Sequence, residues 1–555
     1  TSSVLTLSNA SNSYSGITTI SAGTIAVTVN NALGTNGSGT TIGANGTLDL
    51  QNVTYSTTEA LTVNGGTIKT STGTSSFAGT ISLGANSTVD VGGTQLTLSG
   101  IISSSSTYSL TKTSSGKLVL SGNNTYSGGT ILSTGSIDVA HNNALGTGSL
   151  SLSASTTLFL ENSISLANNI SLSGDATIQF NPITLEYLVV GAGGGGGNGY
   201  DSQGGGGAGG GMVLAGTVTL TPGTTYTVTV GTGGSGGANA RTTVGGTGSA
   251  GGNSSFDTII ALGGGYGQGS RNTTPTAATL GGTAASGTAT ASLGGGPANA
   301  SLAAGGGGGS SGNGANASSS SSAGAGGAGT SSSITGSAVT YGAGGSGGTN
   351  NINSNSGASG AANTGIGGGG GNGTGSSSAA GGTGGSGVVY VRYSSDVASV
   401  TGGSESNITG YRLYSFTSTS GGTFVIDSLS ATLSGVISGI NNLTFNGNGG
   451  TLTISNTSNS YSGNTTISGG ILAVSGRLGS GAYSGNISNS GNLTYSSNSN
   501  QTLSGIISGT GVLNKSGTST LTLSGANTYT GGTTISKGVI KAGISSTTSP
   551  SFTDG

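Results

Sequence analysis

The sequence has no cysteine, and charged residues make up only 4% of its 555 positions. Without cysteine there is no disulfide framework and no thiolate metal site. The formal net charge of −2 is spread thinly, which excludes the basic stripe that nucleic acid needs and the polybasic patch that a membrane surface needs. The longest apolar runs, such as residues 188–190, are far too short to span a bilayer, so we expect no transmembrane segment.

Residues that carry catalysis are scarce. The single histidine, His141, lies in an Asn-rich turn, and another repeat has Val29 at the corresponding place. The acidic residues are scattered, and a pair such as Asp49 and Glu59 lacks the spacing of a calcium loop. A β-helix lyase or glycosidase would need paired carboxylates. We therefore expect no enzyme, and no catalytic, cofactor-binding or metal-binding residues.

Glycine is abundant, with 120 residues, and Ser, Thr and Asn fill most polar positions. The mixture of Glu, Lys, Arg, Leu and Ala that favours helices is missing, whereas β-branched residues occur in short alternating runs. This composition predicts an all-β fold with almost no helix.

Four related copies of a short unit lie towards the two ends of the chain. Each copy joins an alternating run to an Asn/Ser/Gly turn that holds a tyrosine, and another apolar residue follows six positions later. We predict that these residues form the repeat core; in chain order they are Leu5, Leu7, Tyr14 and Ile20, then Leu118, Leu120, Tyr126 and Leu132, then Leu452, Ile454, Tyr461 and Ile467, and finally Leu521, Leu523, Tyr529 and Ile535.

Alternation places Leu and Ile on one face of each strand and Thr and Ser on the other. One such strand cannot bury its apolar face alone, but stacked coils share a continuous core. A parallel β-solenoid explains both the alternation and the recurrence, whereas a β-sandwich explains the alternation only. The tyrosines either fill coil corners or form an exposed aromatic ladder that stacks on sugars.

The unit LxLSGxNTYSGGTTI, with an NALGTN or NALGTG tail from Asn31 and Asn143, closely resembles the autotransporter-associated β-strand repeat. That repeat occurs in passenger regions of exported bacterial proteins. The resemblance implies a right-handed parallel β-helix located outside the cell or at the surface of a bacterium.

The composition changes near Leu185, where glycine runs begin. Four landmarks follow in order: YLVVGAGGGGG from Tyr187, TPGTTYTVTVG from Thr221, GGNSSFDTIIALGGG from Gly251 and GGSGVVYVRY from Gly384. Together they resemble a glycine-rich domain of exported bacterial proteins and some phage tail-tip adhesins. GAGGGGG is superficially similar to a dinucleotide loop, but no helical pattern follows it, so we expect no nucleotide site.

Two interpretations of the glycine runs remain open. Residues 187–190 and 388–393 are predicted to be strands that pair and close a β-sandwich-like domain, which carries packed threefold glycine helices or loops. The alternative is a disordered Gly/Ser spacer. We divide the chain into β-solenoid repeats over 1–185, a glycine-rich domain over 186–393, a connection and hairpin over 394–430 that complete this domain, and β-solenoid repeats over 431–555.

The leading functional hypothesis is a structural extracellular protein, a subunit of a surface fibre, filament or stalk. The chain starts without the lead-in strands of a repeat and stops without its tail, so we expect free strand edges at both ends and head-to-tail association into a homopolymer. The alternative is an adhesin whose glycine-rich domain binds a cell-surface or glycan receptor.

Overall fold

The computed structural model describes residues 3–35, 37–239, 246–270, 303–350, 355–373, 377–394, 400–401 and 403–543. The chain forms two compact units. Unit 1 comprises Thr1–Asn181 and Ser428–Gly555, and unit 2 comprises Pro182–Asp427. Both boundaries lie a few residues before those drawn from composition.

Strands are the main regular secondary structure in both units, and the only α- or 3₁₀-helical element among the described residues is a short 3₁₀ segment, Gly479–Gly481. The first part of unit 1 contains β1–β20: Val4–Leu7, Thr18–Val27, Thr40–Leu50, Thr54–Tyr55, Leu61–Asn64, Thr67–Thr70, Thr74–Phe77, Ile81–Ala85, Ser87–Val91, Gln95–Leu98, Ile102–Ser104, Leu110–Thr113, Lys117–Leu120, Thr130–Leu132, Ser136–Val139, Leu150–Leu152, Thr156–Leu160, Ile164–Leu166, Ile170–Leu172 and Ala176–Phe180. Unit 2 contains β21–β32: Ile183–Val190, Val213–Leu220, Thr225–Thr229, Ser254–Phe256, Ile259–Ala261, Thr330–Ser332, Val339–Tyr341, Val388–Ser394, Val400–Thr401, Ser404–Ile408, Tyr411–Phe416 and Gly422–Ile426. The second part of unit 1 contains β33–β45: Ser430–Leu433, Ile437–Gly439, Leu443–Ile454, Thr465–Val474, Ala482–Tyr483, Ile487–Asn489, Asn492–Tyr495, Gln501–Leu503, Ile507–Ser508, Val512–Lys515, Thr520–Leu523, Thr533–Ile535 and Val539–Ala542.

Three stacks of parallel strands build unit 1, and each coil adds one strand or one turn to every stack. Before the insertion, stack 1 includes β4, β7, β10, β13, β15, β17 and β20, stack 2 includes β5, β8, β11 and β18, and stack 3 includes β6, β9, β12, β14, β16 and β19. After it, stack 1 continues through β38 and β41, stack 2 through β33, β39 and β42, and stack 3 through β34, β40 and β43, while β35 and β36 are long enough to serve stacks 1 and 2. The predicted parallel β-solenoid is confirmed.

The apolar residues of successive coils line the interior. Leu118 lies opposite Leu96 of the preceding coil and Ile137 of the following one, and all three are buried. Lys117 and Val119, which alternate with the buried residues, point outward and are partly exposed. Each coil therefore covers the apolar face of its neighbour, as the alternation in sequence requires.

The solenoid continues across the insertion. Strands β18, β19 and β20 pair in parallel with β33, β34 and β35. Ile178 opposes Phe445, and removing the 246 residues of unit 2 from this separation leaves 21, the same as between Ile137 and Leu158. Repeats on both sides of a glycine-rich domain suggest two separate rods, and that interpretation is wrong, because the flanking strands belong to consecutive coils of one solenoid.

Two five-stranded antiparallel sheets form part of unit 2, in the orders β22-β21-β28-β31-β30 and β25-β24-β23-β32-β29. Val190 pairs with Val388, which confirms the predicted pairing of residues 187–190 with 388–393. Residues 394–430 contain a hairpin, formed by β30 and β31. Strands β31 and β32 do not pair with each other: β31 pairs with β28 and β32 with β23, in different sheets. The connection crosses between the sheets because Phe416 and Phe424 are both buried and pack edge to face, with ring centroids 6.4 Å apart.

The described glycine runs form extended segments with a period of three residues. Every third N–H of the first run donates to one neighbouring run, in the pairs Gly191–Met212, Gly194–Gly209 and Gly197–Gly206. The residues between them donate to another run, in the pairs Gly193–Gly385 and Gly196–Gly382. This is the arrangement expected of packed threefold glycine helices, and the disordered-spacer interpretation is wrong for these runs.

Candidate functional site: the tyrosine turn

The four repeat copies share one hydrogen-bonded corner, which we call the tyrosine turn. It spans residues 12–18, 124–130, 459–465 and 527–533, and each copy reads Asn-x-Tyr-x-Gly-x-Thr. In every copy the tyrosine hydroxyl is hydrogen-bonded to the hydroxyl of the threonine four residues later, at 3.0, 2.5, 2.9 and 2.7 Å in chain order. The threonine therefore holds the ring in the corner.

The asparagine two residues before the tyrosine connects adjacent coils. Asn124 Oδ1 accepts from the Ile102 N–H of the preceding coil at 2.7 Å, and its Nδ2 donates to the Ala144 carbonyl of the following coil at 2.6 Å. Asn459 bridges Ile437 and Arg477 in the same way, at 2.8 and 2.9 Å. These bonds replace the strand ladder at a corner where the backbone turns, so that buried polar groups stay paired.

Burial separates the interior turns from the outer ones. Tyr126 and Tyr461 have no exposed surface, so they fill coil corners and cannot form an exposed ladder. Desolvation raises the pKa of both hydroxyls, against the opposing effect of the threonine hydrogen bond. Both side chains are therefore neutral at physiological pH.

The predicted repeat-core residues fall into two groups according to their coil. Buried residues are Ile20, Leu118, Leu120, Tyr126, Leu132, Leu452, Ile454, Tyr461, Ile467, Leu521 and Leu523. Leu7 and Tyr529 are partly exposed, whereas Leu5, Tyr14 and Ile535 are 57%, 41% and 47% exposed, so these three lie outside the core. The exposed residues belong to the first and last described coils, which are covered by a neighbouring coil on one side.

Successive tyrosine turns lie on different stacks, which the repeat pattern alone did not indicate. The Tyr14 turn lies on stack 1, because the adjoining loop donates from Leu33 N–H to the Tyr55 hydroxyl in β4. The second turn stacks on β11 of stack 2, where Thr125 N–H donates to the Ile102 carbonyl. The third turn stacks on β34 of stack 3, where Ser460 N–H donates to the Ile437 carbonyl. The fourth returns to stack 1, where Thr528 N–H donates to the Ile507 carbonyl of β41.

The spacing of the copies explains this rotation. The 68 residues from Tyr461 to Tyr529 correspond to three coils and one third of another, given 20 residues from Leu158 to Ile178 and 22 from Leu96 to Leu118. Each copy is therefore offset by one stack from the one before. Copy spacing was the signal from which the sequence could have revealed the rotation.

The sequence patterns did not predict the burial of two lysines. Lys112 and Lys515 stand six residues before Leu118 and Leu521, at equivalent places in two copies. Lys112 Nζ donates to the carbonyls of the corner, to Thr113 at 2.8 Å, Ser114 at 2.7 Å and Thr134 at 3.2 Å. Lys515 Nζ donates likewise to the carbonyls of Gly517 and Lys537. Burial lowers the pKa of Lys112 to about 8, so the ammonium still carries most of its charge at neutral pH.

The buried tyrosine hydroxyl can be tested against its exposed equivalent. Tyr126→Phe is expected to lower the free energy of unfolding by about 1 kcal/mol, because Thr130 loses a partner inside the solenoid. Tyr14→Phe removes the same hydrogen bond from a ring that is 41% exposed, and is expected to have less than half that effect. Urea unfolding of both variants measures the difference; equal losses would contradict the corner-filling role of Tyr126.

A buried carboxyl group at Glu59 predicts a pH dependence. Thr40 Oγ1 donates to Glu59 Oε1 at 2.7 Å, while the buried Oε2 has no hydrogen-bond partner in the described structure. Burial raises the pKa of Glu59 above its usual 4.5, so the folded protein binds the proton more tightly than the unfolded chain does. This contribution to stability is present at pH values below the unfolded pKa and is lost as pH rises through the folded pKa.

Glu59→Gln should remove that loss, since the amide does not titrate. Urea unfolding at about pH 4 and about pH 7 should show a smaller decline in stability for the variant than for the wild type. Identical declines would show that Glu59 does not contribute.

Side chains that could bind a metal ion do not cluster in the part of the chain that the structure describes. No set of three or more His, Cys, Asp or Glu side chains there lies close enough to hold a metal ion. His141 lies in a turn, where its Nδ1 accepts from Asn143 N–H at 3.0 Å. The described residues also lack any helix with the length and apolar character needed to cross a bilayer.

Two family models match the chain. The passenger-associated-transport-repeat model matches residues 2–27, 110–139, 446–474 and 513–542, and each match contains one tyrosine turn. The glycine-rich domain model matches residues 170–394, which ends before β31 and β32. No curated protein matches the sequence.

Proposed function

We propose that this chain, which carries four passenger-associated-transport-repeats and a glycine-rich domain, is a structural stalk of a bacterial cell surface. The repeats and the β-solenoid fit an extracellular passenger region of an autotransporter. Within that class, the stalk supplies length and carries the glycine-rich unit. The proposal assigns no catalytic step to the chain.

The continuity of the solenoid is the observation that supports a structural role most directly. Strands on both sides of unit 2 pair in register, and the coil period is preserved across it. The interior coils pack buried Leu, Ile and Val side chains against one another, and Asn124 and Asn459 hydrogen-bond adjacent coils at the corners. Because the solenoid keeps its coil register across a 246-residue insertion, it is suited to carrying that insertion.

Surface display of the full chain provides the test. Antibodies against a tag placed in unit 2 are expected to label intact cells that produce the chain with its native export partners. Electron microscopy of the same cells should show surface projections that shorten when coils of unit 1 are deleted in whole-coil steps. Labelling only after permeabilisation, or projections of unchanged length, would contradict the stalk proposal.

Adhesion is the second candidate, and the independent fold of unit 2 favours it. The sheets and glycine helices of this unit pair among themselves, and the solenoid closes without them. Unit 2 is therefore not needed to complete the scaffold, which leaves it free for recognition. The full chain should bind a glycan array or cell surface that the chain lacking Pro182–Asp427 does not bind. Equal binding by both proteins would contradict a receptor-binding role for unit 2.

A further inference from the structure

The edges of the two sheets in unit 2 differ in length and in charge. At one edge of the second sheet β25 has three residues, and at the other β29 has two. The first sheet ends at β30, which has five residues and carries Glu405 in an ion pair with Arg412. Its opposite edge is β22, which has eight residues, VLAGTVTL, with no charge and no proline.

Strand β22 is paired along one side only in the described structure. All eight of its residues pair with β21, from Val213 opposite Val190 to Leu220 opposite Ile183, with no shift of register. On its other side the sheet order places no strand among the described residues. Ala215, Thr217 and Thr219 are exposed. An edge strand directs alternate N–H and C=O groups away from its sheet, so among the described residues these outer groups of β22 have no strand partner.

Proteins usually protect such edges with short strands, charged side chains, proline or bulges. Three of the four edges of the two five-stranded sheets have one of these devices, and β22 has none. We propose that β22 is an interface at which a second copy of this chain adds its own β22 in antiparallel pairing. The β22-containing sheet of one copy and the same sheet of the second copy would then form one sheet of ten strands about a twofold axis.

The chemistry of the strand favours a second copy as the occupant. Antiparallel pairing of identical strands about a twofold axis is self-complementary whatever the sequence. Thr and Val, which make up four of the eight residues of β22, form favourable cross-strand pairs, and no like charges oppose each other. The net charge of −2 over the chain adds little repulsion. This contact joins copies through unit 2, so it is distinct from head-to-tail association of solenoid ends and does not depend on the stalk proposal.

Sedimentation velocity of the full chain over a range of concentrations tests the interface. The wild type should form a reversible dimer. Thr217→Lys with Thr219→Lys should raise the dimer dissociation constant by about 100-fold or more, because four ammonium groups meet at the new edge. Thr225→Lys with Thr227→Lys is the matched control: it adds the same charges, at the same spacing, to exposed positions of β23, an inner strand of the other sheet. This control should leave the dissociation constant unchanged.

The absence of native cysteine allows the contact to be located directly. Single variants Ala215→Cys, Thr217→Cys and Thr219→Cys should include at least one that forms a disulfide-linked dimer under mild oxidation, whereas Thr227→Cys should not. A wild type that remains monomeric at every concentration would overturn the proposal. So would dimers that the β22 lysines leave intact, or β22 cysteines that never cross-link. Capture of an extended peptide at β22 by a monomeric chain would assign the edge to a different partner and would also overturn it.

Discussion

Gly370→Ala is expected to destabilise unit 2 by about 3 kcal/mol or more, whereas Gly369→Ala at the adjacent position should cost less than about 1 kcal/mol. A Cβ at Gly370 would lie 1.8 Å from the Gly205 carbonyl oxygen and 2.6 Å from its carbon. A Cβ at Gly369 would lie 3.1 Å from Ala358 N, its nearest contact, so small shifts suffice there. The two residues are indistinguishable in the run GGGGG, but only at Gly370 would a Cβ overlap the backbone of a neighbouring segment.

Hydrogen exchange of the full chain measures this difference within unit 2. Amides of the central glycine helix, such as Gly194 and Gly197, donate to a neighbouring helix, and they should lose protection in Gly370→Ala. Their protection should change little in Gly369→Ala. Because backbone atoms surround Gly370, no side chain can rotate away to make room. Similar effects of both substitutions would refute the packing of the glycine runs as adjoining helices.

Removing Pro182–Asp427 and joining Asn181 to Ser428 should leave a folded solenoid. The excised chain keeps a separation of 21 residues between Ile178 and Phe445, which is an ordinary coil. Polar contacts also hold the two coils together: Asn162 Oδ1 accepts from Ser430 N–H, and Asn169 Oδ1 from Val436 N–H, both at 2.9 Å. The interior contributes an edge-to-face contact between Phe180 and Phe445, with ring centroids 6.3 Å apart.

A longer deletion, of residues 182–437, provides the control for that experiment. It removes ten further residues, about half a coil, so strands after the junction no longer lie opposite strands of the preceding coil. The register-preserving deletion should retain protected amides at Ser430, which donates to Asn162 Oδ1, and at Thr451, which donates to the Leu429 carbonyl. The longer deletion should lose cooperative unfolding of the region after the junction. If both deletions behave alike, coil register at the junction does not determine folding.

The junction also illustrates how local chemistry supports register. Asn442 donates from its backbone N–H and from its side-chain amide to the Asp175 carboxylate, at 2.8 and 2.9 Å. These bonds, the backbone one first, lower the pKa of the Asp175 side chain. Asn442 in turn accepts from Asn464 N–H, and Asn464 from Asn486 N–H, at 2.8 and 2.9 Å. One corner of the solenoid is thus held by a row of side chains from coil to coil.

Several features were readable from sequence because they depend on neighbouring residues. Alternation at Leu118 and Leu120, or at Leu452 and Ile454, decides which side chains point inward within a single strand. Glycine runs without side chains favour extended helices over any core built from side chains. Recurrence of the tyrosine unit indicated stacking. These inferences need no knowledge of distant parts of the chain.

Other features depend on contacts between residues far apart in sequence. Strands β31 and β32 follow each other in the chain but join different sheets, because the burial of Phe416 and Phe424 between two sheets outweighs the pairing of adjacent strands. Lys112 looks like a surface residue until the corner closes around it and supplies three carbonyl acceptors. Burial of Glu59 likewise follows from the coil that covers it rather than from its neighbours in the chain.

The sequence by itself determined the strand pattern, the stacking repeat and the glycine segments of this protein, since each follows from periodicity within one segment. Only the tertiary structure decided that the two repeat regions are one solenoid and which glycines lie against backbone atoms. The physical reason is that these properties depend on the register between coils or helices. Register is set by hydrogen bonds and core packing between segments, which no single segment contains.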